Sequence, residues 1–298
     1  MTRHWPRAAA ILFAAAALLG FAANSLLARV ALGGGHSDAA TFTVVRLGSG
    51  ALVLAILAWR PSGGMAAGRP LPLLGAAERW VSAAALFAYA AAFSFAYVDV
   101  GASVGALILF GAVQVTMIGR GLAAGERPGA LTWMGLALAA GGLIALTLPG
   151  AEAPDAGAAA LMAFAGVAWG VYSLRGRGAA DPLRSTAANF LFTLPLAALL
   201  SAATWSAFHA SQTGLLLAAT SGALASGVGY SFWYAALPSL SATQAAIAQL
   251  IVPVLTAAAA VMLLDEAVTV RLLTSGSAIA SGVLLALLAG RAPVRRPG

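Results

Sequence analysis

Apolar runs of about twenty residues follow one another along the chain, separated by short polar breaks. None alternates with the period of two expected of a half-buried strand. Breaks at glycine, proline and charge clusters predict helices over 8–31, 39–59, 79–98, 102–124, 130–149, 157–175, 185–204, 212–236, 241–264 and 270–290. A helix needs roughly 20 apolar residues to cross a hydrocarbon core, and these segments meet that need. The fold class this predicts is an all-α polytopic membrane protein with ten transmembrane helices. A membrane β-barrel is disfavoured, because its strands would alternate apolar and polar positions. The longest break, 60–78, is rich in proline and glycine and is expected to lie along the membrane surface.

Composition narrows the chemistry. Of 298 residues, 61% are hydrophobic and 8% charged, against about 25% charged in soluble domains. The mean hydropathy is +0.92. There is no cysteine, so disulfides, thiol catalysis and thiolate metal sites are excluded. His4, His36 and His209 fall outside the spans and the acids are scattered, so no metal centre is expected. No phosphate-binding glycine loop is present, and no cofactor is expected. The stretch GASVG (101–105) offers Ser103 as a nucleophile, yet no lysine exists and no histidine lies in a span to act as its base. The same letters fit close helix packing. The chain is not expected to be an enzyme, and an intramembrane enzyme is kept only as a remote alternative.

The net charge of +7 would suggest nucleic acid in a soluble protein. Here all sixteen basic residues are arginines set between hydrophobic spans, which makes them topology signals. With the N-terminus in the cytoplasm, thirteen arginines lie on the cytoplasmic side and only Arg29, Arg46 and Arg271 on the other. Both termini are therefore expected in the cytoplasm, with the chain in a bacterial inner membrane. The opening MTRHWPRAAAILFAAAALLGFAANS has the features of a signal peptide. It is read as a retained first span, since removal would leave an odd count and break the repeat that follows.

Residues 95–127 resemble 232–267: each has an aromatic cluster, a tight small-residue turn, an apolar helix and a terminal glutamate. Tyr97 corresponds to Tyr234 and Glu126 to Glu266, and GLALAAGGLIAL (135–146) aligns with GSAIASGVLLAL (276–287). Five helices in 1–150 would thus repeat in 151–298. Five is odd, so the second unit enters the membrane from the opposite face, an inverted repeat of the kind that builds secondary transporters. Four features now carry a family resemblance: Arg46 in the second span, WGVYS (169–173) in the sixth, SATQAAIAQLIVPVLTAAAAVMLLDE (241–266), and GER (125–127) with its glycine-rich helix. The chain resembles the ten-helix EamA-like exporters of the drug/metabolite transporter superfamily over nearly its full length. The first half departs from the pattern, with Val113 where a proline would be expected. The chain as a whole is similar to bacterial amino-acid exporters, including those for aromatic residues. The resemblance implies export of small metabolites by alternating access, with a proton-coupled multidrug or metabolite antiporter as the alternative. The expected partners are a small-molecule substrate and the lipid bilayer, without nucleic acid, and the chain is read as a monomer.

Polar groups at membrane depth are the candidate site. Pro253 has no N–H, so the carbonyl of Gln249 is expected to lose its helical partner. Gln249, Pro253 and Thr256 share one helix face, which must look inward. Gln249 then lines a site or bonds a neighbouring helix, and Pro253 acts as a hinge or only bends the span. Thr243 and Gln244 lie nearer the cytoplasmic end and are read as interfacial. Asn24, Tyr89, Gln114, Trp169, Tyr172, Tyr230 and Trp233 are weighed in the same way, as cavity lining or as packing, with aromatic-belt roles open for the last four. Gly222, Ser226 and Gly229 read as a close-packing face. Arg46 lies toward the outer half within snorkelling reach of the interface and is a gate candidate; Glu266 is another. No Asp or Glu lies near the centre of a span, which favours a facilitator over an ion-coupled pump unless a terminal acid such as Glu266 handles coupling.

Overall fold

In hydrocarbon every backbone polar group must be met within the protein, and a helix meets all but those at its ends. The structure is a computed structural model describing residues 6–59, 76–100, 102–148, 154–179, 181–264 and 267–289. Most of the 60–78 connection lies outside these residues. Ten helices are long and apolar enough to cross a membrane: Ala8–Gly33, Ala39–Trp59, Glu78–Asp99, Val104–Ala123, Ala130–Thr147, Ala156–Gly176, Pro182–Ala203, Gln212–Ser239, Ala242–Leu263 and Val270–Leu288. They fall within a few residues of the predicted segments. Among the described residues there is no strand, only an isolated bridge between Ser37 and Ala210.

The helix starts are written in the sequence. Asp155, Asp181, Ser211, Ser241 and Thr269 each accept a backbone N–H at the start of the sixth to tenth spans. Asp38 does so for the second, accepting from Thr41 N at 2.9 Å. On the face opposite the N-terminus the loops entering the second and eighth spans are bolted together. Asp38 N donates to His209 O at 2.8 Å, Ser211 N to His36 O at 2.8 Å, and His209 N to the Asp38 carboxylate at 2.9 Å.

Size sorts the side chains. Large apolar residues such as Leu12, Val115, Leu199, Leu216 and Leu284 face outward, as suits lipid contact. Alanines and glycines line the helix contacts, where small residues let backbones approach. The main helix contacts are similar when each span is exchanged with the one five places along. Third against sixth is matched by first against eighth, and fourth against sixth by first against ninth. Second–seventh, fourth–ninth and fifth–tenth contacts are each their own images.

The fifth and tenth spans cross antiparallel: Gly135 lies against Gly282 and Ala286, and Gly142 against Ser275 and Ile279. A Cβ at Gly282 would stand 2.5 Å from the Gly135 carbonyl oxygen and 2.6 Å from Ala139 N. Neither backbone atom can swing aside. Gly282→Val is therefore expected to destabilise the fold by about 1–3 kcal/mol, the usual scale for overpacking. Thermal unfolding in detergent measures it; an unchanged midpoint would show that this contact is not close in solution.

Candidate functional site

The ninth span is not one α-helix. It is α-helical over Ala242–Ala248, tightens to a 3-10 turn over Gln249–Ile251, and resumes over Val252–Leu263. Pro253 stands in the first turn of the resumed helix, where no N–H is required. The expected free carbonyl does not occur, because the Gln249 carbonyl accepts from Val252 N–H across the 3-10 turn. The proline changes the helix type and leaves no backbone group exposed. The Gln249 side chain is fully buried. Its Oε1 accepts from Trp169 Nε1 at 2.5 Å, and its amide donates to Ala245 O at 3.1 Å and meets Met117 Sδ at 3.3 Å. An indole N–H can only donate, which fixes the end of the amide that faces it.

Trp169 is the hub of an aromatic cluster near mid-span. Its ring centroid lies 4.9 Å from Tyr89, 4.7 Å from Tyr230, 5.6 Å from Tyr172 and 5.1 Å from Phe21. Trp233 joins through Phe21 at 5.4 Å and donates to Ser173 Oγ at 3.1 Å. Tyr89, Trp169, Tyr172, Tyr230, Trp233 and Gln249 are thus brought together from the third, sixth, eighth and ninth spans. Tyr230 and Trp233 are buried, not belt residues. Two candidates lie apart. Asn24 accepts from Ser221 Oγ at 2.7 Å where the first and eighth spans touch. Gln114 donates to Ala246 O at 2.8 Å, and its Oε1 is buried without a partner. Glu266 lies outside the described residues.

Arg46 does not snorkel. It is 1% exposed. Its Nε donates to Ser226 Oγ at 2.9 Å and its Nη2 to Tyr230 OH at 2.6 Å. The guanidinium carbon lies 5.3 Å from the Tyr89 ring centre and 5.9 Å from that of Phe93. The eighth span is π-helical over Ser221–Val228, and π segments often mark functional sites. Gly222 lets this segment press against the second span, since a Cβ there would strike the Arg46 carbonyl.

A vestibule of about 230 Å³ runs from the face opposite the N-terminus down to this cluster. Arg29, Tyr97, Thr147, Thr269 and Arg271 line it toward that face; Phe93, Val252, Pro253 and Thr256 line its deep part. Of the described candidates on the ninth span, Pro253 and Thr256 touch this open space, whereas Gln249 does not line it. A larger crevice of about 450 Å³, between Phe13, Leu57, Pro182 and Phe232 near the N-terminal face, is mostly apolar and lies away from the cluster.

Toward the N-terminal face, two spans are tied together by Glu126, which the sequence offered only as a match to Glu266. The Glu126 carboxylate accepts from Ala242 N at 2.7 Å, Thr243 N at 3.1 Å and Thr243 Oγ1 at 2.9 Å, so it caps the ninth span. Arg177 Nη1 lies 3.4 Å from it, and Arg177 Nη2 donates to Leu240 O at 3.1 Å. Thr243 and Gln244 are therefore a buried capping turn, not interfacial residues. Burial pushes the Glu126 carboxyl up, but the Ala242 and Thr243 N–H groups, the Thr243 hydroxyl and Arg177 outweigh it and hold it below 4.5. A glutamate just past one span cannot be matched to a helix start 116 residues away without the fold.

Residues 157–288 match the EamA-like transporter family. The uncharacterized protein PA1977 of Pseudomonas aeruginosa is 50% identical over 277 residues, 93% of this chain and 94% of its own. The chain belongs to the EamA-like transporter family. A protein of known crystal structure, 20% identical, shares its fold, with a TM-score of 0.73 over 92% of this chain and 98% of its own. As an EamA-like transporter the chain is a multi-pass membrane protein that moves small molecules.

Two substitutions test how this transporter is held together. Gln249→Ala strands the Trp169 N–H in a dry cluster, and a loss of about 1–3 kcal/mol is expected. A thermal midpoint equal to wild type would show that the indole is met otherwise. Glu126→Ala removes three hydrogen bonds to a charged acceptor, with an expected loss of about 2–4 kcal/mol. Because the folded carboxyl titrates below its ordinary 4.5, its contribution is complete above that pH and fades as pH falls through the lowered value. Stability of the wild type should therefore drop on acidification more steeply than that of Glu126→Gln. Parallel profiles would remove Glu126 from the acid response.

Proposed function

We propose that the chain is an inner-membrane exporter of small metabolites, amino acids among them and aromatic or apolar ones in particular, working by alternating access. The observation that supports this most is an asymmetry of the bundle. A vestibule leads from one face toward the aromatic cluster at mid-depth, while toward the other face Glu126 ties the end of the fourth span to the start of the ninth. The arginine distribution supports a cytoplasmic N-terminal face, with the vestibule looking out of the cell. We read 1–150 and 151–298 as inverted repeats, a reading supported by the similar contacts of spans five apart. The cavity of the working cycle lies between these halves, where rocking would break one closure as it makes the other.

No carboxylate stands at the centre of a span, which supports a facilitator driven by the substrate gradient. Glu126 favours a second reading, a proton-coupled antiporter, since protonation would loosen its hold on the ninth span. Reconstituted protein decides between them. Efflux of labelled amino acids should continue in liposomes with neither proton nor sodium gradient. Flux that requires an imposed pH step would favour the antiporter, and no flux of any tested amino acid would reject export of amino acids. A C-terminal reporter active only in the periplasm would reverse the orientation.

A further inference from the structure

Arg46 is a physical anomaly. A guanidinium keeps its charge at any working pH, and an uncompensated charge at membrane depth is strongly unfavourable. Arg46 lies seven residues inside the second span, about 10 Å along the helix axis. Yet no carboxylate among the described residues lies within ion-pair distance of it. Its partners are two hydroxyls and two ring faces. Its Nη1 is buried and has no hydrogen-bond partner. A structural bolt between two spans would need neither the charge nor the spare donor; a serine or glutamine could bond Ser226 and Tyr230.

Arg29 and Arg271 line the vestibule toward its mouth. Phe93 is in contact with the open space and close to the Arg46 guanidinium. Around the spare donor lie the rings of Tyr89, Phe93 and Tyr230, with Trp169 and Phe21 beyond.

We propose that Arg46 is the receptor for the carboxylate of the transported molecule, and that the substrates are organic acids with an apolar or aromatic body. This rests on the exporter reading above and narrows it to anionic recognition. Displacement of the Phe93 ring lets a carboxylate reach Nη1 from the vestibule, and the surrounding rings take the apolar body. The ammonium of an amino acid meets no acidic partner in the cluster, so recognition does not require it.

Four probes separate these features: 3-phenylpropionate, phenylalanine, phenylalaninamide and hexanoate. Binding is read as the ligand-induced rise in thermal midpoint of purified protein, and transport as counterflow in proteoliposomes. Both phenyl acids and hexanoate should bind, with phenylalaninamide weaker by roughly ten- to a hundredfold, the range for one charge-assisted hydrogen bond. Arg46→Met should lose acid binding by a similar factor, while its ligand-free midpoint stays at or above wild type, because removing an under-compensated buried charge is often neutral or stabilising. Arg46→Lys should retain most acid binding. Phenylalaninamide bound as tightly as phenylalanine, with both transported, would overturn the Arg46 assignment and leave the exporter reading standing. So would acid binding unchanged in Arg46→Met. If Arg46→Met does not fold, the acid–amide comparison on wild type and Arg46→Lys still decides. If nothing binds or moves in the wild type, the exporter reading fails for these compounds and the assignment falls with it.

Discussion

A polar group at membrane depth has no water to turn to, and the middle of this bundle is arranged around that constraint. The Trp169 indole needs an acceptor, which Gln249 supplies; the Gln249 amide then needs acceptors of its own, which the ninth and fourth spans supply. Each bond fixes the next. The chain of demands runs from the sixth span through the ninth to the fourth, and so determines how three helices from both halves of the chain face one another.

The ninth span shows the same constraint acting on the backbone. Proline removes a donor, and in water the orphaned carbonyl would simply be hydrated. Here the helix tightens by one turn so that the carbonyl of Gln249 is bonded three residues on instead of four. The short 3-10 segment lies beside the aromatic cluster and directly below the deep part of the vestibule, where Val252 and Pro253 meet open space. The irregularity is thus placed where protein surrounds it on one side and a cavity on the other, which is where irregular backbone is tolerated in a membrane.

Most of the fold was legible because span length and apolar continuity are properties of single segments. The ten helices and the inward face of Gln249 follow from local spacing. The aromatic residues of the sixth and eighth spans could be named, but not their meeting, since that depends on which helices are neighbours. Arg46 was misplaced toward the interface because a lone arginine near a helix end reads as a snorkelling one; only packing against Gly222 and Ser226 shows that the way out is blocked. Glu126 is the clearest case of what a linear reading cannot hold. Its role is set by a helix start supplied by the other half of the chain.

The loops joined at Asp38, His209 and Ser211 have a mechanical consequence. Five backbone and side-chain bonds tie the first half of the chain to the second on the face where the vestibule opens. Under the proposed rocking of the halves, a joint of that kind would resist separation while permitting rotation, and would serve as a pivot. The lever arm would then be set by a loop contact on the surface, well away from the aromatic cluster at mid-depth.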